Sequence, residues 1–303
     1  MKLLLVSPAA FGFNAETAAT NRFQQAPASE DWEAASRART EVSAAAAALR
    51  AAGVSICVAQ DTPRPVKPDA VFPNNWVSFH EDGTVVVYPL LSPARRLERR
   101  EEVIEQAKRD LGFVEKRRLD LSGEERHGRF LEGTGSLVLD RAARVAYACR
   151  SPRTDEALVR EWARQMDYEA VIFDARSPDG TSVYHTNVLL WIGERIAGIG
   201  LAWIDAAQRD AVAAHLSQGR DARRGLLLLD TPALRSFAGN MLELPVGRRR
   251  LLAMSATAHC SLGPAQLRQL AAADSEPVVV PLPTIESLGG GSMRCMLAEV
   301  PAA

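Results

Sequence analysis

The sequence has no excess of charge of either sign. Its 303 residues include 36 Lys and Arg and 37 Asp and Glu, which gives a formal net charge of −1 at pH 7. This balance provides no overall field that would attract nucleic acid or an anionic membrane. The charged run "ARRLERREE" at residues 94–102 is interpreted as the solvated face of a helix. We therefore expect a small-molecule partner, and neither nucleic acid nor a membrane.

Long apolar runs and paired cysteines are also missing. No apolar run approaches the ~18 residues that a membrane span requires, and the apolar stretch before Ser7 and Pro8 is too short for the core of a signal peptide. Without C-x-x-C spacing, the cysteines predict neither a zinc site nor a disulfide framework. These absences predict a protein of the reducing cytoplasm. Its four cysteines are Cys57, Cys149, Cys260 and Cys295.

What the chain does have is an alternation of strands and helices. Short apolar runs such as "TVVVYPL" and "AVIFDA" alternate with helical segments, which is typical of α/β or α+β folds. One helix is predicted over about 30–52. Another follows Thr154, and its apolar face consists of Leu158, Trp162 and Met166.

The order of elements also repeats. A small or polar residue precedes an apolar run five times, and successive starts lie 52 to 60 residues apart. Such spacing indicates a stacked or radial repeat. The five starts are Asn75, Gly135, Asn187, Asn240 and Ser292.

The fifth repeat is incomplete, because only twelve residues follow Gly291. The N-terminal segment contains what is missing, namely a strand over 2–6, the helix over about 30–52 and a strand over 54–59. If the two ends meet, no sheet edge is left at the seam. The sequence thus predicts one domain, residues 1–303, folded as a five-bladed, pseudo-fivefold α/β propeller of ββαβ units whose ring is closed by the N- and C-terminal segments.

The first strands of such a ring would line a central channel, so side chains near their starts would face one another. Three of these positions carry Cys295, which we place in the first strand of the fifth unit, His185 and Glu132. A thiol becomes a strong nucleophile once its pKa is lowered, which a protonated histidine or the neighbouring Arg294 would do. The imidazole would exchange protons with the leaving group and water, and the carboxylate would orient it. We predict a catalytic set of these three residues, although a cysteine in an apolar strand is more commonly a small hydrophobe.

Six segments resemble a known protein family. In the same order, over about residues 2–300, they resemble the citrulline-utilisation hydrolase family. This is a branch of the guanidino-group-modifying superfamily, which includes arginine deiminases, amidinotransferases and dimethylarginine dimethylaminohydrolases. The resemblance implies a five-bladed α/β propeller, with Cys295 as the nucleophile and His185 and Glu132 as its partners. The segments are "DAVFPNNWVSFHEDGTVVVYP", "FLEGTGSLVLDR", "ACRSPRT", "YHTNVLL", "FAGNMLEL" and "TIESLGGGSMRCMLAE".

The sequence departs from the arginine-processing members of that superfamily at two positions. Those members usually carry aspartate where this chain has Asn75, and again two residues after the histidine, where it has Asn187. Paired carboxylates hold a guanidinium cation by charge-assisted hydrogen bonds, whereas an amide offers an acceptor and two donors without charge. We therefore predict that Asn75 and Asn187 bind a neutral ureido group. Arg153 is predicted either to clamp the substrate carboxylate or to be a surface residue at the start of a helix.

The predicted reaction is the hydrolysis of citrulline to ornithine, CO₂ and ammonia through a carbamoyl thioester on Cys295, with no metal and no organic cofactor. Two alternatives stay open. One is an arginine deiminase or dimethylarginine dimethylaminohydrolase, and the other is a non-catalytic propeller that serves as a binding module. A homo-oligomer is also left open, and segment 8–30 is either a lid over the site or a surface connection.

Overall fold

The computed structural model describes residues 2–29, 31–219 and 223–301. Within these ranges fifteen strands pair into five separate sheets of three strands each. In chain order the strands are β1 (Lys2–Ser7), β2 (Ser55–Gln60), β3 (Val77–Phe79), β4 (Thr84–Val87), β5 (Arg117–Asp120), β6 (Leu137–Asp140), β7 (Val145–Cys149), β8 (Glu169–Phe173), β9 (Leu190–Ile192), β10 (Ile196–Ile199), β11 (Gly225–Leu228), β12 (Leu242–Val246), β13 (Arg249–Ser255), β14 (Ser275–Val280) and β15 (Ala298–Val300).

Helices connect the strands, and none in the described ranges is both long enough and apolar enough to cross a membrane. The α-helices are α1 (Ala15–Ala18), α2 (Ala34–Ala51), α3 (Pro93–Arg96), α4 (Glu101–Leu111), α5 (Gly133–Ser136), α6 (Glu156–Met166), α7 (Ala206–Leu216), α8 (Thr231–Arg235), α9 (Ala256–Ser261) and α10 (Pro264–Ala272). Shorter helical turns of the 3-10 type cover Pro73–Asn75, Ser122–His127, Thr186–Val188, Leu201–Trp203 and Met293–Met296, and a π-helical turn covers Ile285–Gly289.

Four of the sheets share one topology. In each, the first strand is antiparallel to the second, and the second is parallel to the third. A tight turn can join antiparallel strands, whereas a parallel pair needs a crossover, which helices provide here. Each sheet therefore has the predicted order of strand, strand, helix and strand. These sheets are β3-β4-β5, β6-β7-β8, β9-β10-β11 and β12-β13-β14.

The fifth sheet joins the two ends of the described chain. Strand β15 pairs antiparallel with β1, with Leu3 opposite Glu299, and β1 pairs parallel with β2, with Leu3 opposite Ile56. The predicted contribution of both ends to one unit is confirmed. Each of the five sheets is open, and none within the described ranges closes on itself. The fold is thus an α/β fold of five small mixed sheets.

Helix α2 illustrates how the helices pack. Its small apolar residues recur every three or four positions, which is the spacing of one helix face. This face lies against β1 and β14. The fully buried residues on it include Ala38, Val42, Ala45 and Leu49.

Helix α6 has the predicted apolar face. Asp155 caps its N-terminus by accepting a hydrogen bond from the backbone N–H of Leu158 at 2.9 Å. Leu158, Trp162 and Met166 are all buried. The indole of Trp162 donates to the hydroxyl of Tyr88 at 3.1 Å, so this face also joins two units of the fold.

Helical turns before the first strands, rather than those strands, carry three of the predicted site residues, Asn75, Asn187 and Cys295. The prediction that Cys295 lies in the first strand of the fifth unit is wrong, because it lies in the turn Met293–Met296 before β15. The short apolar alternation in "SMRCML" fits one helical turn as well as it fits a strand. The turn Pro73–Asn75 lies next to this turn and next to α5, and α5 lies next to Thr186–Val188. The turns therefore bring together residues from four units.

Gly133, the first residue of α5, provides a test of this arrangement. It has φ +47°, and a Cβ atom there would lie 2.2 Å from the carbonyl oxygen of Asn74. We expect Gly133→Ala to lower the free energy of unfolding by about 3 kcal/mol or more, because two backbones would have to separate. The control is Gly128→Ala, where φ is +68° and no atom lies within 4 Å of the added carbon, and we expect a loss of only about 1 kcal/mol. Urea denaturation measures both, and equal losses would contradict the prediction.

Candidate active site

Glu132 and His185 form a buried hydrogen-bonded pair. Glu132 directly precedes α5, His185 directly precedes the turn Thr186–Val188, and the two side chains are 0% and 2% exposed. The distance from Oε2 of Glu132 to Nε2 of His185 is 2.8 Å. An ionised carboxylate only accepts, so Nε2 carries the proton and Nδ1 is the acceptor nitrogen of the neutral ring. The carboxylate thereby fixes both the tautomer and the orientation of the imidazole.

Gly135 in α5 leaves room for the side chains of Asn75 and His185 to approach the helix closely. A Cβ atom at this position would lie 2.4 Å from Nδ2 of Asn75 and 2.8 Å from Nδ1 of His185. Any larger residue would have to displace the amide or the imidazole. The glycine therefore places the Asn75 amide beside the acceptor nitrogen of the ring.

Two asparagine amides hold the sulfur of Cys295. Nδ2 of Asn240 lies 3.2 Å from Sγ, and Nδ2 of Asn187 lies 3.5 Å from it. Asn240 also donates to the carbonyl of Asn187 at 2.8 Å and accepts from the backbone N–H of Cys295 at 3.3 Å. Hydrogen bonds to sulfur favour its charged form. The two amides are thus placed to stabilise a thiolate.

Asn75 is held by an arginine that the sequence predicted to be solvated. Its Oδ1 accepts a hydrogen bond from Nη1 of Arg95 at 2.9 Å, and its Nδ2 is buried with no hydrogen-bond partner in the described part of the chain. Arg95 is 2% exposed and Glu98 is 3% exposed, so the charge run is not wholly a solvated face. The reason is a buried salt bridge between these two residues.

The carboxylate of Glu132 also contacts two guanidinium groups. Its Oε2 lies 3.4 Å from Nη1 of Arg153 and 3.6 Å from Nη1 of Arg95. Arg153 is 2% exposed, so it is a buried residue rather than a surface residue at a helix start. Burial alone would raise the pKa of Glu132, but Arg153, His185 and Arg95 together lower it. The carboxylate is therefore ionised at neutral pH.

Asp69 supplies a second buried carboxylate beside these groups. It is 2% exposed, and its Oδ2 accepts a hydrogen bond from Nδ2 of Asn14 at 2.7 Å. Its Oδ1 has no partner among the described residues. Burial raises the pKa of Asp69, and Arg95 and Asn14 oppose this effect. An unpartnered buried carboxylate oxygen is costly unless a ligand meets it.

Residues 14–25, here called the covering segment, lie over the site. Nη2 of Arg153 donates to the carbonyl of Thr17 at 2.9 Å, and Nδ2 of Asn21 donates to the carbonyl of Gly290 at 3.2 Å. The covering segment is thus tied both to a buried arginine and to the glycine turn before Cys295.

One small cavity connects these residues. Its volume is about 20 Å³, which is room for one water molecule. Glu132 hydrogen-bonds to His185 but does not line this cavity. Asn187 contacts the sulfur of Cys295 but lines a different cavity. The predicted residues that do line it are Cys295, His185, Asn75 and Arg153, together with Thr17, Asn21, Asp69, Phe72, Arg95, Tyr184 and the glycines 289–291.

The thiol and the imidazole are both neutral in this form of the site. Burial raises the pKa of Cys295, and the backbone at Ser292, the two amides and Arg294 offset only part of this. Burial also lowers the pKa of His185 by more than the hydrogen bond to Glu132 raises it. The sequence predicts a lowered thiol pKa, and the structure differs because the thiol is buried and desolvated. No hydrogen bond joins Sγ of Cys295 to the ring of His185 in this arrangement.

The sequence interpretation missed Asp69, Arg95 and Glu98. A signal for Arg95 exists, because "SPAR" at 92–95 recurs as "SPR" at 151–153, which ends in Arg153. Local sequence offers no comparable signal for the other two. Among the described residues, no three His, Cys, Asp or Glu side chains are grouped as a metal site.

A protein-family model matches nearly the whole chain. The model is described as N,N-dimethylarginine dimethylhydrolase, eukaryotic, and it matches residues 7–302. No curated protein sequence gives a significant match.

Solved structures with this fold include those of ArgZ, AgrE and a dimethylarginine dimethylaminohydrolase. The N-terminal domain of ArgZ, an arginine dihydrolase from the ornithine–ammonia cycle in Cyanobacteria, was solved as a cysteine-to-serine variant bound to substrate. It is 16% identical, has a TM-score of 0.75, and the match covers 99% of this chain and 98% of that chain. AgrE with ornithine and NAD⁺ is 16% identical with a TM-score of 0.74, but the match covers 100% of this chain and only 39% of that chain. A dimethylarginine dimethylaminohydrolase adduct is 14% identical with a TM-score of 0.64, and the match covers 98% of both chains. At such identities the likeness concerns the fold alone.

The neutral state of the thiol has a measurable consequence. The rate of alkylation of Cys295 by iodoacetamide should keep rising beyond about pH 8.5, because only the thiolate reacts and burial raises the thiol pKa. Asn240→Ala should shift the profile to still higher pH, since one of the two amide donors to sulfur is lost. Mass spectrometry of the cysteine peptides gives the rates, with the exposed Cys260 as the reference for the reagent. A rate that is already constant below pH 7 would contradict the prediction.

Proposed function

The chain belongs to the N,N-dimethylarginine dimethylhydrolase family, and we propose that within it the chain hydrolyses the ureido group of citrulline to give ornithine, CO₂ and ammonia. As a member of this family it is a hydrolase of C–N bonds, related to the amidinotransferase superfamily. The citrulline substrate is our proposal. The observation that carries it is the Asn75 amide, which lines the cavity beside Cys295 where a guanidinium would need a carboxylate.

In the first half of the reaction, Nδ1 of His185 takes the thiol proton of Cys295 and the thiolate attacks the ureido carbon. The tetrahedral intermediate collapses with cleavage of the bond from carbon to the δ-nitrogen of ornithine, which takes the proton from His185 as it leaves. A carbamoyl group remains on the sulfur. Glu132 stabilises the imidazolium during this exchange, because its carboxylate lies 2.8 Å from Nε2.

In the second half, water attacks the carbonyl carbon of the thioester and gives its proton to His185. The bond from carbon to sulfur breaks, the thiolate regains a proton from His185, and carbamic acid leaves and decomposes to CO₂ and ammonia. Nδ2 of Asn75 donates to the oxygen on which negative charge develops. Asn240 and Asn187 donate to sulfur whenever it is a thiolate.

The α-amino acid end of the substrate is assigned to Asp69 and Arg153. Oδ1 of Asp69 is a buried acceptor without a partner in the described part of the chain, which suits an ammonium group. Nε and Nη2 of Arg153 bond to the covering segment at Thr20, at 3.0 and 2.6 Å. Displacement of these contacts would free two parallel N–H groups for a carboxylate.

Arginine or a methylated arginine is the second candidate substrate. The observation that favours it is the carboxylate of Asp69 in the same cavity, since a carboxylate suits a guanidinium as well as it suits an ammonium. The names of the similar structures point the same way, because ArgZ is described as an arginine dihydrolase. Membership in a family of hydrolases argues against a non-catalytic binding module.

We also propose that the five sheets are the blades of a pseudo-fivefold propeller within one domain. The support is the order of neighbours around the fold. Strand β15 lies beside β3, β6 beside β9, and β9 beside β12, while β13 lies beside the turn Met293–Met296. A cytoplasmic location and a homo-oligomer stay predictions.

A substrate panel tests the proposed activity. Purified protein is assayed with citrulline, arginine and methylated arginines, and ornithine, citrulline and ammonia are measured. We expect ornithine and ammonia from citrulline, and a carbamoyl adduct on Cys295 when the reaction is quenched in acid. Cys295→Ala should lower kcat by roughly 10⁴-fold or more, because the nucleophile is lost. The matched control, Cys260→Ala, removes an exposed thiol and should not alter kcat. Turnover of arginine without turnover of citrulline would overturn the proposal.

A further inference from the structure

We propose that Arg95, held by Glu98, is a positioning residue that fixes the Asn75 amide with its NH₂ group toward the substrate and so sets a preference for ureido over guanidino substrates. This inference rests on the proposed function. It gives a role to Arg95 and Glu98, which do not need to contact the reacting group. It attributes the substrate preference to the orientation of the Asn75 amide.

The guanidinium of Arg95 is rigidly held. Its Nε lies 3.0 Å from Oε1 of Glu98 and its Nη2 lies 3.0 Å from Oε2, which is a bidentate pair in parallel geometry. Nη2 also donates to the carbonyl of Phe72 at 3.4 Å. Both charged side chains are almost completely buried, so water does not compete for these contacts. Only Nη1 is left to meet Asn75, and it does so at 2.9 Å.

This arrangement permits one orientation of the Asn75 amide. Arginine has five N–H donors and no acceptor, so Asn75 must meet it with Oδ1. A flipped amide would place N–H groups against N–H groups in a buried site, which would leave donors on both residues unpaired. Nδ2 therefore points away from Arg95. It lies on the side of the site where Nδ1 of His185 lies, since the two atoms are 2.4 and 2.8 Å from the position that a Cβ of Gly135 would take.

A ureido group and a guanidinium group differ at the atom that would meet this NH₂. The ureido oxygen accepts a hydrogen bond, and it becomes a better acceptor as the thiolate attacks. A guanidinium presents only N–H groups, so donor would face donor in a buried site. Sites built around a specific buried hydrogen bond discriminate strongly against analogues that cannot form it, so we expect the orientation to favour citrulline by at least ~100-fold.

An aspartate at position 75 would behave differently. Either of its oxygens could accept from Arg95, and the other would face the cavity as an acceptor suited to a guanidinium. The two oxygens of a carboxylate are equivalent, so a hydrogen bond from Arg95 would not select one of two orientations. The effect of Arg95 on substrate preference should therefore exist with asparagine at this position and vanish with aspartate.

The test is the ratio of kcat/KM for citrulline to kcat/KM for arginine, measured by ammonia release. The two substrates share the same α-amino acid end, so a lost contact to that end lowers both values and leaves the ratio unchanged. The main variant is Arg95→Met combined with Glu98→Gln, which leaves no unpaired buried charge between the two. We expect the ratio to fall roughly 10- to 100-fold, the equivalent of one hydrogen bond to a charged group.

The same double change is then made in an Asn75→Asp background. The ratio should already be at least about tenfold lower in Asn75→Asp alone, and it should not change further when Arg95 and Glu98 are replaced. A role of these two residues in folding alone would change turnover in both backgrounds without this difference in the ratio. Circular dichroism and urea denaturation establish that each variant is folded.

Each outcome decides a specific point. A citrulline preference that survives the double replacement, or that falls equally in both backgrounds, overturns the inference and leaves the proposed function intact. If the double variant does not fold, Asn75→Asp alone decides, and an unchanged ratio overturns the inference. A wild-type protein that turns over arginine and not citrulline overturns both the proposed function and the inference.

Discussion

The buried carboxylate of Glu132 is the group on which the arrangement of the site depends. It accepts from the imidazole of His185 and contacts the guanidinium groups of Arg153 and Arg95. A buried carboxylate without such partners would take up a proton or destabilise the fold by several kcal/mol. Because these partners keep it ionised, the carboxylate orients the imidazole of His185. It also anchors Arg153 beneath the covering segment and offsets the positive charge of Arg95. The proposed proton transfers, substrate clamp and amide orientation all use this one charge.

Helical turns explain how groups from distant parts of the chain reach that carboxylate. First strands follow closely after α5 and after the turns Pro73–Asn75, Thr186–Val188 and Met293–Met296. The first two of these segments pack so closely that a Cβ at Gly133 would collide with the backbone of Asn74. A strand in the same place would send alternate side chains to opposite faces, whereas successive side chains of a 3-10 turn diverge by about 120°. Cys295 can thus line the cavity beside Asn75 while the next residue of its own turn packs in the core.

Much of the fold is predictable from sequence, because hydrophobic periodicity and repeat spacing are local properties. The joining of β1 and β15 follows from a repeat that lacks its strands at one end. That the cysteine, histidine and glutamate come close together is predictable from their places near the starts of repeats and from the family resemblance, while their catalytic roles stay predictions. Arg95 and Glu98 are not predictable, because a run of charges has the same local pattern whether it is solvated or forms a buried pair. Asp69 and the covering segment depend on contacts made across the whole chain, and no local pattern encodes those.

The closed and neutral site implies that substrate binding and activation of the thiol are coupled. With Cys295 and His185 both neutral, reaction begins by moving a proton from sulfur to nitrogen, which creates two charges in a buried space. Both charged groups formed by this transfer have hydrogen-bond partners already in place. Glu132 stabilises the imidazolium, and Asn240 and Asn187 stabilise the thiolate. The missing element is a bound group within reach of both the sulfur and Nδ1, because no hydrogen bond joins them directly. A ureido group in the cavity would supply it, with its carbon against the sulfur and its δ-nitrogen against the imidazole. The thiolate would then form where its electrophile already lies, and without substrate the neutral thiol would react only slowly with other electrophiles at neutral pH.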